Sequence, residues 1–411
     1  MHEVIIGEHA STPGFLAGML PAGEWTAIVN THRIEAESGA TCDYMLTIDD
    51  TIDTREVHET RGLSHEMAAT AAGHSTESPR VLAAHTHTPT NAARAGADAS
   101  ASDEPSWLRG DLHAHTHHSD GRWGIADLLR WARKEQLDFA TLSDHNTSAP
   151  QREMLQASAP ELLTMIGTEL TTFHGHALAL GVEGWVDWRL GETRTMPRIA
   201  EAVERAGGLF IIAHPRAIGD PACTGCRWDY AEVMPSPAKI VEVWNGGTWF
   251  GDSYNELGLA RFYQWLNDGH RLVATAGTDI HGLPKTDAPY GFNVVYAPKR
   301  TREAILDAIR RGHLYLSSGP RLELRAALPS GASAMMGDTL PTADTRLKVT
   351  WERANGATLR IIIDGQPVVE RPITDAGHYA WTVHPREAKW CSAELRDDGR
   401  LTALTNPIFF A

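Results

Sequence analysis

Gly110-Asp-Leu-His-Ala-His-Thr-His-His-Ser-Asp120 is followed by apolar residues Ile125, Leu128, Leu129 and Ala132, and then by the run Phe139-Ala-Thr-Leu142. On a β-strand, residues two apart project from the same side, so His113 and His115 can converge on one point. Neutral imidazole is the commonest protein metal ligand, and the nearby carboxylate of Asp120 extends such a site toward harder ions. The i, i+3, i+4, i+7 spacing that follows predicts an amphipathic helix, and the next apolar run predicts a buried strand.

The same unit recurs outward from this stretch. Pro197 can open a helix with Ile199, Ala202, Val203 and Ala206 on its apolar side; Gly207-Gly208 stops it before the strand Leu209-Phe-Ile-Ile-Ala. Ile240-Val-Glu-Val precedes a helix bearing Leu259, Phe262, Tyr263 and Leu266, and Leu272-Val-Ala-Thr follows it. Thr301 can cap a helix containing Ile305, Ala308 and Ile309, with Gly312 at its end. Repeated strand-helix units over 107–319 predict a parallel α/β barrel with its chemistry at the C-terminal strand ends. After Pro320 the pattern turns all-β: Asp364-Gly365 and Asp398-Gly399 sit between apolar runs as hairpin turns, so 320–411 is expected to be a β-sandwich. Trp25-Thr-Ala-Ile-Val and Tyr44-Met-Leu-Thr-Ile predict a small β domain over 1–60. The Ala-, Ser-, Thr- and His-rich segment 61–106 reads as a linker or mobile insertion.

The 411 residues exceed one ordinary core, and 42% hydrophobic with 22% charged residues is a globular balance. A net charge of −15 disfavours a stable duplex nucleic-acid partner. No membrane span and no secretory leader is legible, which makes the cytoplasm the expected compartment. Four cysteines are too few for a disulfide scaffold. Cys223-Thr-Gly-Cys226 has C-x-x-C spacing without a second pair, and is expected to be a loop with two reduced thiols.

Five segments at or just past expected strands carry possible ligands: Asp111-Leu-His-Ala-His; Ser143-Asp-His-Asn; Gly167-Thr-Glu169 with His174-Gly-His176; Ala213-His-Pro; and Gly277-Thr-Asp-Ile-His281. Together His113, His115, Asp120, His145, Glu169, His176, His214, Asp279 and His281 offer more nitrogen and oxygen ligands than one ion needs. Two or three divalent ions are therefore expected, with Mn²⁺, Zn²⁺ or Fe²⁺ suiting mixed imidazole and carboxylate ligation. Ions that share a bridging carboxylate can hold a hydroxide between them, which is hydrolytic chemistry.

With these segments in order, including the His-x-His-Thr-x-x-Ser-Asp-Gly run from His113 to Gly121, the stretch 107–319 resembles the polymerase and histidinol phosphatase (PHP) superfamily of metal-dependent hydrolases. The resemblance implies a distorted (β/α)7 TIM-like barrel, here flanked by N- and C-terminal β-sandwich-like domains. It implies a first ion on His113, His115, Glu169 and Asp279, a second on Glu169, His176 and His214, and a third on Asp120, His145 and His281. The β flanks, with Gly175-His-Ala-Leu-Ala-Leu-Gly, Val241-Glu-Val-Trp-Asn and Thr405-Asn-Pro-Ile, look like the carbaryl-hydrolase-like (CehA/McbA) branch.

Each residue has a structural competitor. A lone histidine beside a strand is ordinarily a hydrogen-bonded structural residue, but five segments in order point to ligation. His85-Thr-His87 has the same spacing without a strand and reads as solvated. His174 shares a strand face with His176 and competes with it as ligand; His117 and His118 read as pocket-rim residues. Asp111 and Asp144 read as acceptors that orient ligand histidines. Arg216 could bind an anionic group of the substrate, and Trp244, Trp249 and Phe250 could wall an aromatic pocket.

Three functions fit. The first is a phosphoesterase acting on a small or nucleotide-like substrate through a metal-bridging hydroxide; the second is an aryl carbamate or carboxyl ester hydrolase using the same ligands. The third is a non-catalytic metal-binding interaction protein.

Overall fold

The computed structural model describes residues 4–6, 10–16, 18, 64–65 and 104–411, less 192, 220–222, 224, 234–237, 248–253, 285–288, 329–330, 332, 342–343 and 385–387. The chain divides into two compact units, Met1–Ala99 and Ser100–Ala411. In the first, β1 (Ala10–Ser11) pairs antiparallel with β2 (Ser64–His65). The expected strands at Trp25 and Tyr44, together with Cys42, His85 and His87, lie outside the described residues.

The second unit begins with β3 (Ser106–Asp111), α1 (Ile125–Lys134), β4 (Phe139–Leu142), α2 (Gln151–Gln156), β5 (Leu163–Thr172) and β6 (Gly175–Leu180). It continues through α3 (Met196–Arg205), β7 (Leu209–Ile212), β8 (Ile240–Asn245), α4 (Tyr254–Asn267), β9 (Val273–Gly277), β10 (Phe292–Ala297), α5 (Arg302–Arg311) and β11 (Leu314–Ser317). Four of these five helices form where sequence periodicity placed them, and α2 was not expected. α1 buries Ile125, Leu128, Leu129 and Ala132, and carries Asp127 in its first turn and Arg133 and Lys134 in its last, matching the helix dipole. Thr301 Oγ1 accepts the Ala304 N–H at 3.2 Å, and Gly312 ends α5 in the left-handed conformation at φ 77°.

The fold is mixed α/β, and its sheet departs from the all-parallel arrangement expected. β3, β4 and β5 are parallel, as are β7, β8 and β9, but β6 lies antiparallel to both β5 and β7. Only Phe173 and His174 separate β5 from β6, and so short a link cannot cross over to a parallel neighbour. The path from β3 to β9 returns on itself at its C-terminal ends: His115 N–H donates to Ile280 O at 2.9 Å, and Asp279 N–H to His113 O at 2.8 Å. No backbone ladder joins β9 to β3 or β10 along their length. β10 instead pairs antiparallel with β3 and leads through β11 into the C-terminal strands.

Those strands are β12 (Arg321–Ala327), β13 (Ser333–Met335), β14 (Thr339–Leu340), β15 (Thr345–Glu352), β16 (Thr358–Ile363), β17 (Gln366–Pro372), β18 (Gly377–Val383), β19 (Trp390–Asp397), β20 (Arg400–Thr405) and β21 (Ile408–Phe410). β13, β12, β15 and β18 form a four-stranded sheet. Leu322, Leu324, Leu347 and Val349 of that sheet share one buried core with Leu359, Ile361, Ala393 and Leu395 of β16 and β19. The two hairpin turns fall where expected: Asp364 and Gly365 at φ 49° and 79°, and Asp398 and Gly399 at 46° and 77°, the paired positive φ of a type I′ turn. Among the described residues no helix is long and apolar enough to cross a membrane.

Candidate metal centre

Eight of the nine expected ligand residues stand on or just past strands and meet in one region, and Asp120 joins them from the turn after His115. His113 and His115 follow β3, His145 follows β4, Glu169 and His176 face each other from β5 and β6, His214 follows β7, and Asp279 and His281 follow β9. Two of them sit in left-handed backbone, His214 at φ 28° and Asp279 at φ 51°, a conformation that non-glycine residues adopt rarely. Gly277 is required by close approach, since a Cβ there would lie 1.8 Å from Glu242 Oε1 and 2.5 Å from His113 Cβ.

The innermost set is His113, His115, Glu169 and Asp279. His113 Nε2 lies 3.1 Å from Glu169 Oε2 and 3.4 Å from Asp279 Oδ1; His115 Nε2 lies 3.2 Å and 3.0 Å from the same two oxygens. Glu169 turns its other oxygen to a second set, with Oε1 2.9 Å from His176 Nδ1 and 3.2 Å from His214 Nε2. A third grouping is more open: Asp120 Oδ1 lies 3.2 Å from His281 Nε2 and 3.6 Å from His145 Nε2. His145 Nδ1 also lies 3.1 Å from Glu169 Oε2. The ligand atoms fall into three clusters, each within 4.8 Å throughout: His113, His115, Glu169 and Asp279; His145, Glu169 and His176; and His115, Asp120, His145 and His281.

The partners of the rings decide which nitrogens are available. A backbone carbonyl only accepts, so His214 Nδ1–H donates to Cys226 O at 3.0 Å and His281 Nδ1–H to Asp279 O at 2.8 Å. In the neutral ring Nε2 is then the lone-pair nitrogen, turned to the site and able to ligate an ion. His113 Nδ1 faces Glu242 Oε1 at 3.0 Å, which frees its Nε2 in the same way. Glu242 is the functional residue that motif reading missed. It is 1% exposed, bonds the His113 ring, and accepts both His214 N–H at 3.0 Å and Asn245 Nδ2 at 3.1 Å. Asn245 Nδ2 also reaches Asp279 Oδ2 at 3.3 Å. The available signal was an acidic residue in the middle of the apolar strand Ile240-Val-Glu-Val.

Asp111 and Asp144 do not orient imidazoles as expected. Asp111 accepts Thr278 Oγ1–H at 2.5 Å and the N–H groups of Thr278 and His113; Asp144 accepts Thr116 and Ser119 hydroxyls, each at 2.6 Å. They tie ligand-bearing loops together through backbone and hydroxyl groups.

Electrostatics follow from this crowding. Burial opposes charge on His113 and His115, yet the surrounding carboxylates prevail and hold His113 well above the usual imidazole range and His115 at about 10. Burial likewise disfavours the Glu169 and Asp279 anions, but neighbouring histidines keep both well below the carboxylate range. At His145 burial wins and lowers the ring to about 4. Among the described residues no lysine or arginine pairs with Glu169, Glu242 or Asp279; imidazoles are their only basic partners.

This donor set fits divalent ions. His113 Nε2, both nitrogens of His115, Glu169 Oε2 and His176 Nε2 are buried without hydrogen-bond partners. Such orphans are costly unless another species satisfies them. Two ligands about 2.1 Å from one ion, separated by 90–110°, lie roughly 3.0–3.4 Å apart, which is the spacing across the innermost set.

The remaining candidates separate from this centre. His174 is exposed and sets its ring edge against Tyr230, whereas His176 is buried in the cluster. His117 is exposed with Nδ1 near Trp123 O, and His118 is buried; neither joins a ligand cluster. Arg216 is exposed and lines a separate cleft of about 300 Å³ with Trp228, Tyr230, Arg261 and Trp265, none of them a cluster residue. Trp244 does not wall a pocket: it is 1% exposed in the main core, because the strand it belongs to is covered by α4. Trp249 and Phe250 lie outside the described residues. Cys223 and Cys226 face each other within one loop, with Cα atoms 5.5 Å apart, within the span of a disulfide.

Residues 269–336 match a family profile described as a protein of unknown function, DUF3604. No curated protein sequence matches the chain. Among solved structures it is similar to a two-domain Bacteroides vulgatus protein containing a predicted PHP-like metal-dependent phosphoesterase, at 14% identity and TM-score 0.43, covering 74% of this chain and 96% of that one. It is also similar to an amidohydrolase from Chromobacterium violaceum, at 14% identity and TM-score 0.31, covering 44% and 89%. A third is a lesion-specific endonuclease from Pyrococcus furiosus, at 16% and 0.35, covering 50% and 56%. At these TM-scores the likenesses decide neither the fold nor the chemistry.

Proposed function

We propose that this protein is a metal-dependent hydrolase, and that its substrates are small phosphoesters. The observation that carries the reading is the innermost set: four ligand atoms with contacts of 3.0–3.4 Å, those of His113, His115 and Glu169 on fully buried side chains and without hydrogen-bond partners, with the second oxygen of Glu169 facing two more imidazoles.

In this reading His113, His115, Glu169 and Asp279 hold one ion, and Glu169, His176 and His214 a second. Asp120, His145 and His281 supply a third position. Bound ions supply an acidified water and positive charge against the reacting centre. The chain's own residues do the rest. Glu169 ties the two inner positions through its two oxygens. Glu242 holds the His113 ring so that Nε2 points inward, and its bond to His214 N–H fixes the β7 end at the same height. Asp120 is the most exposed of the nine, with 58% of its side chain accessible, and marks the side from which substrate arrives.

The carbamate or aryl ester reading depends on an aromatic wall, and Trp244 is not available for one. The deciding experiment is a hydrolysis panel on protein stripped and reloaded with Mn²⁺ or Zn²⁺. It would compare phosphomonoesters, phosphodiesters, aryl esters and an aryl N-methylcarbamate. Metal-dependent phosphoester turnover is expected; turnover of the carbamate alone would overturn the substrate assignment.

A further inference from the structure

We propose that Asn406 and Asn293 are positioning residues for the metal centre, two side-chain amides that replace a missing strand along the outer edge of β9 and thereby hold Asp279 and His281 in place. The inference rests on the metal reading above.

β9 ends the hydrogen-bonded order of its sheet. Its inner edge is paired with β8, but Ala274 and Ala276, two residues apart, direct their remaining backbone groups outward and are fully buried. Buried peptide groups need partners, and here each receives a primary amide that offers one donor and one acceptor, as a strand would. Asn406 Oδ1 accepts Ala274 N–H at 2.7 Å, and its Nδ2 donates to Ala274 O at 3.0 Å. Asn293 does the same at Ala276, at 3.0 and 2.6 Å. Both asparagines are 0% exposed.

Each amide also reaches beyond β9. Asn406 Nδ2 lies 3.1 Å from Leu314 O of β11, and Asn293 Nδ2 lies 3.5 Å from Gly110 O of β3. Just past the second clasp the seam closes through Asp279 N–H to His113 O and His115 N–H to Ile280 O. The height of β9 is thus set by the two amide clasps together with these two backbone bonds and the bonds of Thr278 to Asp111. That height places Asp279 Oδ1 against the His113 and His115 rings.

Asn406 is held for this task. Thr405 Oγ1 accepts Ala393 N–H at 2.9 Å and Pro407 O accepts Gly337 N–H at 2.7 Å, pinning the turn on both sides. The Thr405-Asn-Pro-Ile ending thereby acquires a role, bracing β9 from its outer edge.

The test uses the full chain and Zn²⁺ alone, followed by titration and by hydrogen exchange over 273–281. In Asn406→Ala, exchange protection in β9 should fall. Affinity should weaken about tenfold, the scale seen when a partner behind a ligand is removed, for the ions that need Asp279 and His281. The ion held by Glu169, His176 and His214, which come from β5, β6 and the β7 end, should keep its affinity. If Asn406→Ala does not fold, Asn293→Ala provides the same readout at Ala276. Equal weakening of every ion, or unchanged affinity, would overturn the inference. An unaltered protein that takes up no Zn²⁺ or Mn²⁺ would overturn the metal reading itself.

Discussion

Two clusters of buried charge lie in the same unit and solve the problem of burial in different ways. Beneath α4, Arg396 donates from Nε to Glu394 Oε2 and from Nη1 to Glu256 Oε1, both at 2.6 Å, while Tyr263 Oη donates to Glu394 Oε1 at 2.6 Å. Carboxylates are answered there by a guanidinium and a phenol, and Tyr263 is pushed well above its usual range by burial and by Glu394. At the strand ends, imidazoles are the only basic side chains that answer Glu169, Glu242 and Asp279 among the described residues, and several polar atoms remain unsatisfied. Burying charge is tolerated when it is paired and hydrogen-bonded. A cluster closed by arginine braces a helix against a sheet, whereas one left to imidazoles is arranged for an ion.

That contrast can be broken by substitution. Glu169→Gln should have the largest effect, removing a charge shared by both inner positions; metal uptake by elemental analysis and turnover should both fall to background. Retained stoichiometry would show that Glu169 is not the shared ligand. Arg396→Ala should destabilise the fold by about 3–5 kcal/mol, because Glu394 is left buried without its partner. Denaturant unfolding reads this, and a change below about 1 kcal/mol would place the Arg396 cluster among surface pairs.

Glu242→Gln keeps the shape of the side chain and removes its charge. Metal affinity should weaken roughly 10- to 100-fold by titration, with turnover recovered at high metal concentration. Full affinity would mean that the His113 ring needs no carboxylate behind it. Gly399→Ala sets the local baseline. A Cβ there meets nothing within 4 Å, so only left-handed strain remains, about 1–2 kcal/mol, and metal affinity should not move.

Much of the site is legible in the sequence because strands obey a period of two and helices one of 3.6. His113 with His115, and Asp279 with His281, are recognisable pairs, and their placement after apolar runs puts them at strand ends. The caps at Thr301 and Gly312 and the turns at Asp364-Gly365 and Asp398-Gly399 are local chemistry and appear where they read. Glu242 was not legible as a functional residue, since its partners lie 129 residues before it at His113 and 28 before it at His214. Asn406 bonds Ala274 across 132 residues, and nothing in Thr405-Asn-Pro-Ile announces it. The antiparallel β6 was missed because alternation in Gly175-His-Ala-Leu-Ala-Leu reports burial but not direction.

The sequence by itself determined which candidate donors are present, His, Asp and Glu without cysteine, and that most of them follow apolar strands, because both depend on residue type and short-range spacing. Tertiary structure alone decided which oxygen of Glu169 faces which ring, that Arg216 stands apart in its own cleft, and that β9 is clasped by side-chain amides. Those outcomes depend on contacts between residues remote in the chain, and on which buried groups find partners once packing is complete.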